Sequence, residues 1–173
     1  DQNWMEAWKA RYQPIPIGKR LIIVPAWLES PDAKRIPIKI DPGMAFGTGT
    51  HPTTQLCLEL VEELMETLKA SETFRDLSVI DIGCGSGILS IAALKLGARL
   101  AVGVDIDPAS VQASRENAQA NGIGEEFVLG QGSVAEVLAG GFPLRQAPLV
   151  LANILAPVLI RLLDAGLGEL VLP

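Results

Sequence analysis

With 173 residues, 49% of them apolar and 20% charged, the chain has room for one ordinary domain around a buried core, which excludes a disordered polypeptide. A formal net charge of −6 excludes a protein that grips nucleic acid through its phosphates, because that task needs a basic surface. Two cysteines, Cys57 and Cys84, without a CxxC spacing, and a single histidine, His51, exclude a disulfide framework and a zinc site.

In chain order, residues 1–41 read as a lead-in that holds all three tryptophans and many prolines. Apolar and β-branched runs predict two short strands there, 20–24 and 36–40, with a proline-bounded segment between them. A Gly- and Thr-rich stretch from Asp41 to Thr54 follows, and it runs into a helix predicted over 52–69 from the spacing of Leu56, Leu60, Val61, Leu64, Met65 and Leu68. From Leu77 onward strand and helix alternate: strand 79–82, helix 88–96, strand 100–104, helix 108–121, strand 127–129, short helix 134–138, strand 148–152, and a last helix from Ala156 that ends before Gly166. Asp107 before Pro108 is an N-cap and first-turn pair, and Gly122 is a helix stop.

Such alternation predicts an α/β fold, a Rossmann-like parallel sheet with helices on both faces. A further strand is expected after Pro173, since four parallel strands would leave an open edge. The expected organisation is therefore a lead-in over 1–41 and a catalytic domain over 42–173 whose C-terminal strands are missing. The longest apolar stretch, 147–160, is too short to cross a bilayer and contains Asn153 and Pro157, and the first residues show no basic region ahead of an apolar core. The expected setting is a reducing cytoplasm.

The chemistry is concentrated in Val79-Ile80-Asp81-Ile82-Gly83-Cys84-Gly85-Ser86-Gly87-Ile88. A β-prone run enters a turn with glycines on alternate positions and leaves it as a helix, which is how a backbone comes close to a ligand. Asp105 stands 22 positions after Gly83 at the end of the next apolar run, where a neighbouring parallel strand would deliver a carboxylate to ribose hydroxyls. Dinucleotide sites read G-x-G-x-x-G and hold a pyrophosphate; this chain reads Gly83-x-Gly85-x-Gly87 with Asp81 just before, which suits a cationic ligand end. At these residues the chain resembles a class I S-adenosylmethionine-dependent methyltransferase.

Three segments taken together narrow the match: Phe46-Gly47-Thr48-Gly49-Thr50-His51-Pro52-Thr53-Thr54, the glycine loop, and Ala152-Asn153-Ile154-Leu155. The chain closely resembles the ribosomal protein methyltransferases that modify amino groups of large-subunit protein eleven, from about Trp4 to its end. The resemblance implies S-adenosyl-L-methionine as cofactor, a large-subunit ribosomal protein as substrate, and neither membrane nor direct nucleic-acid contact. Family members also carry a small N-terminal recognition domain and later sheet strands, neither of which is in this sequence.

The candidate cofactor residues are Thr54, Gly83, Gly85, Asp105 and Asn153, with Asn153 also the catalytic candidate and no metal ligand expected. Gly83 and Gly85 let the backbone approach the cofactor, and Asp105 takes the ribose. Thr54, in the first turn of its helix, offers a hydroxyl and free amides to a carboxylate, the alternative being that Thr53 or Thr54 caps that helix. Asn153 follows a buried strand at the carboxyl edge, where its carbonyl could hold the incoming amine. Asp81 orients the loop or meets the ammonium through water, or else caps backbone amides of the turn; His51 is either a base or a helix-entry residue; Ser133 is either an adenine contact or a loop residue. Two other functions compete: an amino methyltransferase for a nucleobase or glutamine, which usually carries two prolines and an aromatic where Ile154-Leu155 stand, and a cofactor-binding scaffold without turnover.

Overall fold

The computed structural model describes residues 6–7, 10–43, 49–71 and 76–173, so Trp4 and Trp8 of the lead-in and Phe46, Gly47 and Thr48 of the Gly/Thr stretch lie outside the described residues. A small sheet comes first, with strands β1 (Ile15–Ile17), β2 (Leu21–Pro25) and β3 (Ile36–Ile40) in the order β1-β2-β3. β1 and β2 are antiparallel, β2 and β3 parallel. The sequence reading had no β1, a run of only three residues, and Pro16 at its centre lacks the N–H that a ladder uses. The sheet tolerates it because β1 is an edge strand.

The chain then forms helix α1 (Pro52–Ala70), β4 (Ser78–Ile82), α2 (Ile88–Lys95), β5 (Leu100–Asp105), α3 (Pro108–Ala120), β6 (Phe127–Gln131), α4 (Val134–Leu138), β7 (Leu149–Leu151), α5 (Ala156–Asp164) and a 3-10 turn (Leu167–Leu170). These boundaries fall within two residues of those predicted from periodicity. The last turn, absent from the sequence reading, follows Gly166, whose φ of 102° reverses the chain.

The second sheet is wholly parallel in the order β6-β5-β4-β7. Register lines Val79 up with Ala101, Phe127 and Leu149, and the next residue, Ile80, with Val102, Val128 and Val150. Successive side chains point to opposite faces, so each row enters a different core. The first row packs with Leu58, Val61 and Met65 of α1, Ile91 and Ala92 of α2, and Ile17, Leu21, Ile38 and Ile40 of the small sheet. The second row packs with Val134 and Val137 of α4, Leu167 and Leu170 of the 3-10 turn, and Leu159 and Leu162 of α5. This is the two-sided burial expected of parallel strands that read as continuous apolar runs.

α2 explains how the small sheet is held. Its residues 88–93 are all buried, since it lies between the parallel sheet, α1 and β3. Lys95 in its last turn donates from Nζ to the Pro37 carbonyl at 2.6 Å, and burial lowers its pKa. Glu62 of α1 is buried and accepts from the amides of Lys19 and Arg20 at 2.8 and 3.1 Å, which fixes the β1–β2 turn. Among the described residues no helix is long and apolar enough to cross a membrane.

Candidate functional site

In the order β6-β5-β4-β7 the chain steps one way from β4 to β6 and then returns to the other side of β4. That reversal leaves a crevice at the carboxyl ends of β4 and β7, the position where open α/β sheets take ligands. The loop after β4 and the segment after β7 both open there. Thr54, Gly83, Gly85 and Asn153 line one cleft together with Asp81, Ser86 and Leu89.

The loop is shaped by its glycines. Gly83, Gly85 and Gly87 have φ of 68°, 55° and 79°, a left-handed region that other residues enter only with strain. A Cβ on Gly83 would lie 2.6 Å from Ile154 Cγ2, so the absence of a side chain also lets the post-β7 segment close against the loop. The amides of Gly83 and Cys84 both donate to the Val104 carbonyl, at 2.8 and 3.0 Å, which anchors the loop to the end of β5.

Asp105 ends β5 and receives two amides: Gly85 N–H on Oδ2 at 3.0 Å and Asp107 N–H on Oδ1 at 2.9 Å. It does not line the cleft proper; its carboxylate touches the glycine loop at the rim. Asp107 caps α3 through the Ala109 amide at 2.9 Å, as the Asp-Pro pair predicts.

Asp81 differs from Asp105. It is 1% exposed, and burial pushes its carboxyl up to about 7, opposed by hydrogen bonding from Ser90 and aided by the charge of Asp105. Ser90 Oγ of α2 donates to Asp81 Oδ2 at 2.7 Å. The acid is thus braced by the helix that follows the loop, yet reaches the cleft. Burial, and then the charge of Asp81, also raises the pKa of Cys84, so this thiol stays protonated and unreactive.

Thr54 and Asn153, 99 positions apart, meet across the cleft: the Asn153 amide donates to Thr54 Oγ1 at 3.4 Å. Thr54 is fully buried. The helix is capped by neither threonine, contrary to one of the sequence readings. His51 is the N-cap, and its Nδ1 accepts from the Thr53 amide at 3.2 Å. This occupies the ring at the helix entry and leaves the Thr54 hydroxyl to face Asn153. Ser133 is the N-cap of α4, where its amide donates to Glu136 at 2.8 Å.

Sequence reasoning missed the residues that hold the loop from behind. Ser114 and Asn117 of α3 donate to the carbonyls of Gly85 and Ser86 at 2.8 and 2.9 Å. The available signal was two polar side chains, three apart, on the apolar face of a helix. A separate and larger cavity, about 260 Å³, lies beside the small sheet against Tyr12, Ile15, Ile23 and Ile40. It contains none of these groups.

The family described as ribosomal protein L11 methyltransferase (PrmA) matches residues 1–170. A ribosomal protein L11 methyltransferase of Pseudomonas putida (strain W619) is 47% identical over 162 residues, which cover 94% of this chain and 51% of the relative. One of Haemophilus influenzae (strain PittEE) is 44% identical over 168 residues, 91% of this chain and 54% of the relative. The chain therefore spans about half the length of these curated relatives. A crystal structure of a ribosomal protein L11 methylase from Lactobacillus delbrueckii subsp. bulgaricus superposes with a TM-score of 0.73 at 37% identity, covering 93% of this chain and 76% of that one.

Proposed function

This chain belongs to the ribosomal protein L11 methyltransferase family, and from that premise we propose that it carries the cofactor site and catalytic centre of an S-adenosylmethionine-dependent protein N-methyltransferase. The substrate in this reading is the set of lysine and N-terminal amino groups of ribosomal protein L11. The observation that carries it is the convergence of Thr54, the glycine loop and Asn153 on one cleft beside Asp81, with Asp105 at its rim. We divide the chain functionally into a lead-in, 1–41, and a cofactor domain, 42–173.

The residues fit such a cofactor on charge. Asp81 is a buried acid whose ionised form burial disfavours, so a cationic ligand end in the same cleft would supply the counter-charge that favours it. When bound, S-adenosylmethionine supplies a methyl group on a positively charged sulfur. Asp105 is held at the end of β5 with both oxygens oriented by backbone amides, and it would take the ribose hydroxyls. Gly83 and Gly85 would let the backbone lie against the ligand, and the first turn of α1 with Thr54 would hold its carboxylate.

Asn153 would use its carbonyl to hold the amine, while Thr54 fixes the amide's orientation from the other side. A lysine amine attacks only when neutral, and its ordinary pKa is about 10.4. Desolvation in the cleft and a nearby positive charge both lower that value, so the site selects the reactive form without a separate base. In-line displacement then depends on alignment and exclusion of water. We place the enzyme in the cytoplasm, where ribosomal proteins are made and free thiols such as Cys57 and Cys84 persist.

Labelled methyl transfer to purified ribosomal proteins by the full-length enzyme tests the reading. Asp105→Ala is expected to weaken S-adenosylmethionine binding, and Asn153→Ala to reduce turnover more than cofactor affinity. Binding of S-adenosylmethionine by Asp105→Ala as tight as by the parent would overturn the ribose assignment. Unchanged turnover in Asn153→Ala would remove that residue from the catalytic centre.

A further inference from the structure

We propose that Ser114 and Asn117 of α3 are positioning residues for the glycine loop, and that Asn117 sets this loop and the chain leaving β3 as one unit. The inference rests on the reading that the cleft holds S-adenosylmethionine. It follows from where three polar side chains of α3 and its C-cap go. Ser114, Asn117 and Asn121 are spaced three and four apart, so they share one helix face, and that face is turned inward. Ser114 is fully buried and Asn117 is 2% exposed. A polar side chain at such a position destabilises the fold unless it is partnered.

Each finds its partner in the backbone of another segment. Ser114 Oγ donates to the Gly85 carbonyl at 2.8 Å, and Asn117 Nδ2 to the Ser86 carbonyl at 2.9 Å. These are consecutive carbonyls in a loop whose left-handed glycines take it out of any ladder, and α3 supplies a donor to each. In a trans peptide the N–H points opposite to the C=O. Holding these two carbonyls on the α3 side therefore fixes which way the adjoining amides face. Asn117 does more: its Oδ1 accepts the Asp41 amide at 3.0 Å, just where the chain leaves β3 on its way to Thr54. One side-chain amide thus touches both the glycine loop and the end of β3. Gly87 adds a close fit, since a Cβ there would lie 2.9 Å from Ser114 Oγ.

Asn121 is the internal control. Its amide exchanges two bonds with Lys39 of β3, at 2.8 and 2.7 Å, and none of its bonds reaches the glycine loop. It clamps the small sheet to the end of α3, where its Nδ2 also donates to the Asn117 carbonyl at 2.8 Å, and leaves the Asn117 side chain to the loop.

The test measures S-adenosylmethionine binding by calorimetry, thermal melting, and hydrogen exchange of amides 84–88 in the full-length enzyme. Asn117→Ala and Ser114→Ala are each expected to weaken cofactor binding by about tenfold, as for loss of a donor to a buried carbonyl. KM for the cofactor should rise with Kd while kcat at saturating cofactor stays within about twofold, and the loop amides should exchange faster without ligand. Asn121→Ala should lower the melting temperature and leave cofactor affinity and loop exchange unchanged. If Asn117→Ala fails to fold, Ser114→Ala decides, since it removes only a hydroxyl. The proposal is overturned if both variants melt earlier, as Asn121→Ala does, yet bind the cofactor like the parent. Asp105→Ala separates the two levels. No S-adenosylmethionine binding by the parent would sink the cofactor reading itself and normal affinity in Asp105→Ala its ribose assignment, whereas weakened affinity in Asp105→Ala with normal α3 variants would sink only the positioning role.

Discussion

α2 and α5 are close in length and both rich in apolar residues, yet six residues of α2 are buried and none of α5 is. The difference lies in what covers them. α2 is enclosed by the parallel sheet, α1 and β3, whereas α5 touches the 3-10 turn and sends only Leu159 and Leu162 partway into the second core. Leu155, Ile160 and Leu163 stay exposed. The two sides of the cleft inherit this contrast: the glycine loop opens directly into α2, while Asn153 stands between β7 and α5. The glycine-loop side, where we propose that the cofactor lies, is thereby built on the more enclosed half, where opening costs more free energy.

The largest way to break the comparison is inside α2. Ile91→Ala removes a fully buried side chain and is expected to cost about 2–5 kcal/mol in urea denaturation. Gly83→Ala comes next, since it combines a φ of 68° with a Cβ 2.6 Å from Ile154. A cost of about 1–3 kcal/mol is expected, together with weaker cofactor binding by calorimetry. A variant that bound normally would mean that the post-β7 segment can withdraw from the loop freely.

Asp81→Asn sharpens the comparison through pH. The Asp81 pKa is raised from 3.8 to about 7, so between those values the folded chain binds more protons than the unfolded chain. Its contribution to stability is complete at low pH, falls as pH rises through that window, and stays lost above about 7. The Asn variant should therefore melt several degrees higher than the parent at pH 8, with the difference shrinking toward pH 4, and bind the cationic cofactor less tightly. Equal melting at pH 4 and pH 8 relative to the parent would show that the carboxyl pays no burial penalty. The smallest effect is expected in α5. Leu163, 57% exposed, should tolerate Ala within about 0.5 kcal/mol in the 173-residue chain. A larger loss would mean that another surface covers this helix.

Much of this was legible beforehand because the demands are local. The alternation of strands and helices from Leu77 onward, the three glycines, Asp107 as a cap and Asp105 at a strand end all follow from requirements within a few residues. Less legible were features whose partner lies far along the chain. Capping by Thr53 or Thr54 stayed open as an alternative in the sequence, and only the placement of the His51 ring on the Thr53 amide settles which residue caps the helix. The polar spacing of Ser114 and Asn117 was visible, but the carbonyls they meet lie 29 and 31 positions away. β1 went unread because three residues are too few to show a period, and its Pro16 is accepted because the folded sheet puts this strand at an edge.

The amino-acid order by itself determined the elements, their alternation and the places where the backbone must turn left-handed, since steric limits and side-chain period act over one or two helical turns. The folded arrangement alone decided which apolar helix is enclosed, which acid is stripped of water, and that Thr54 meets Asn153. Those outcomes depend on sheet order and on the density of neighbouring atoms, quantities that exist only once distant segments are in contact.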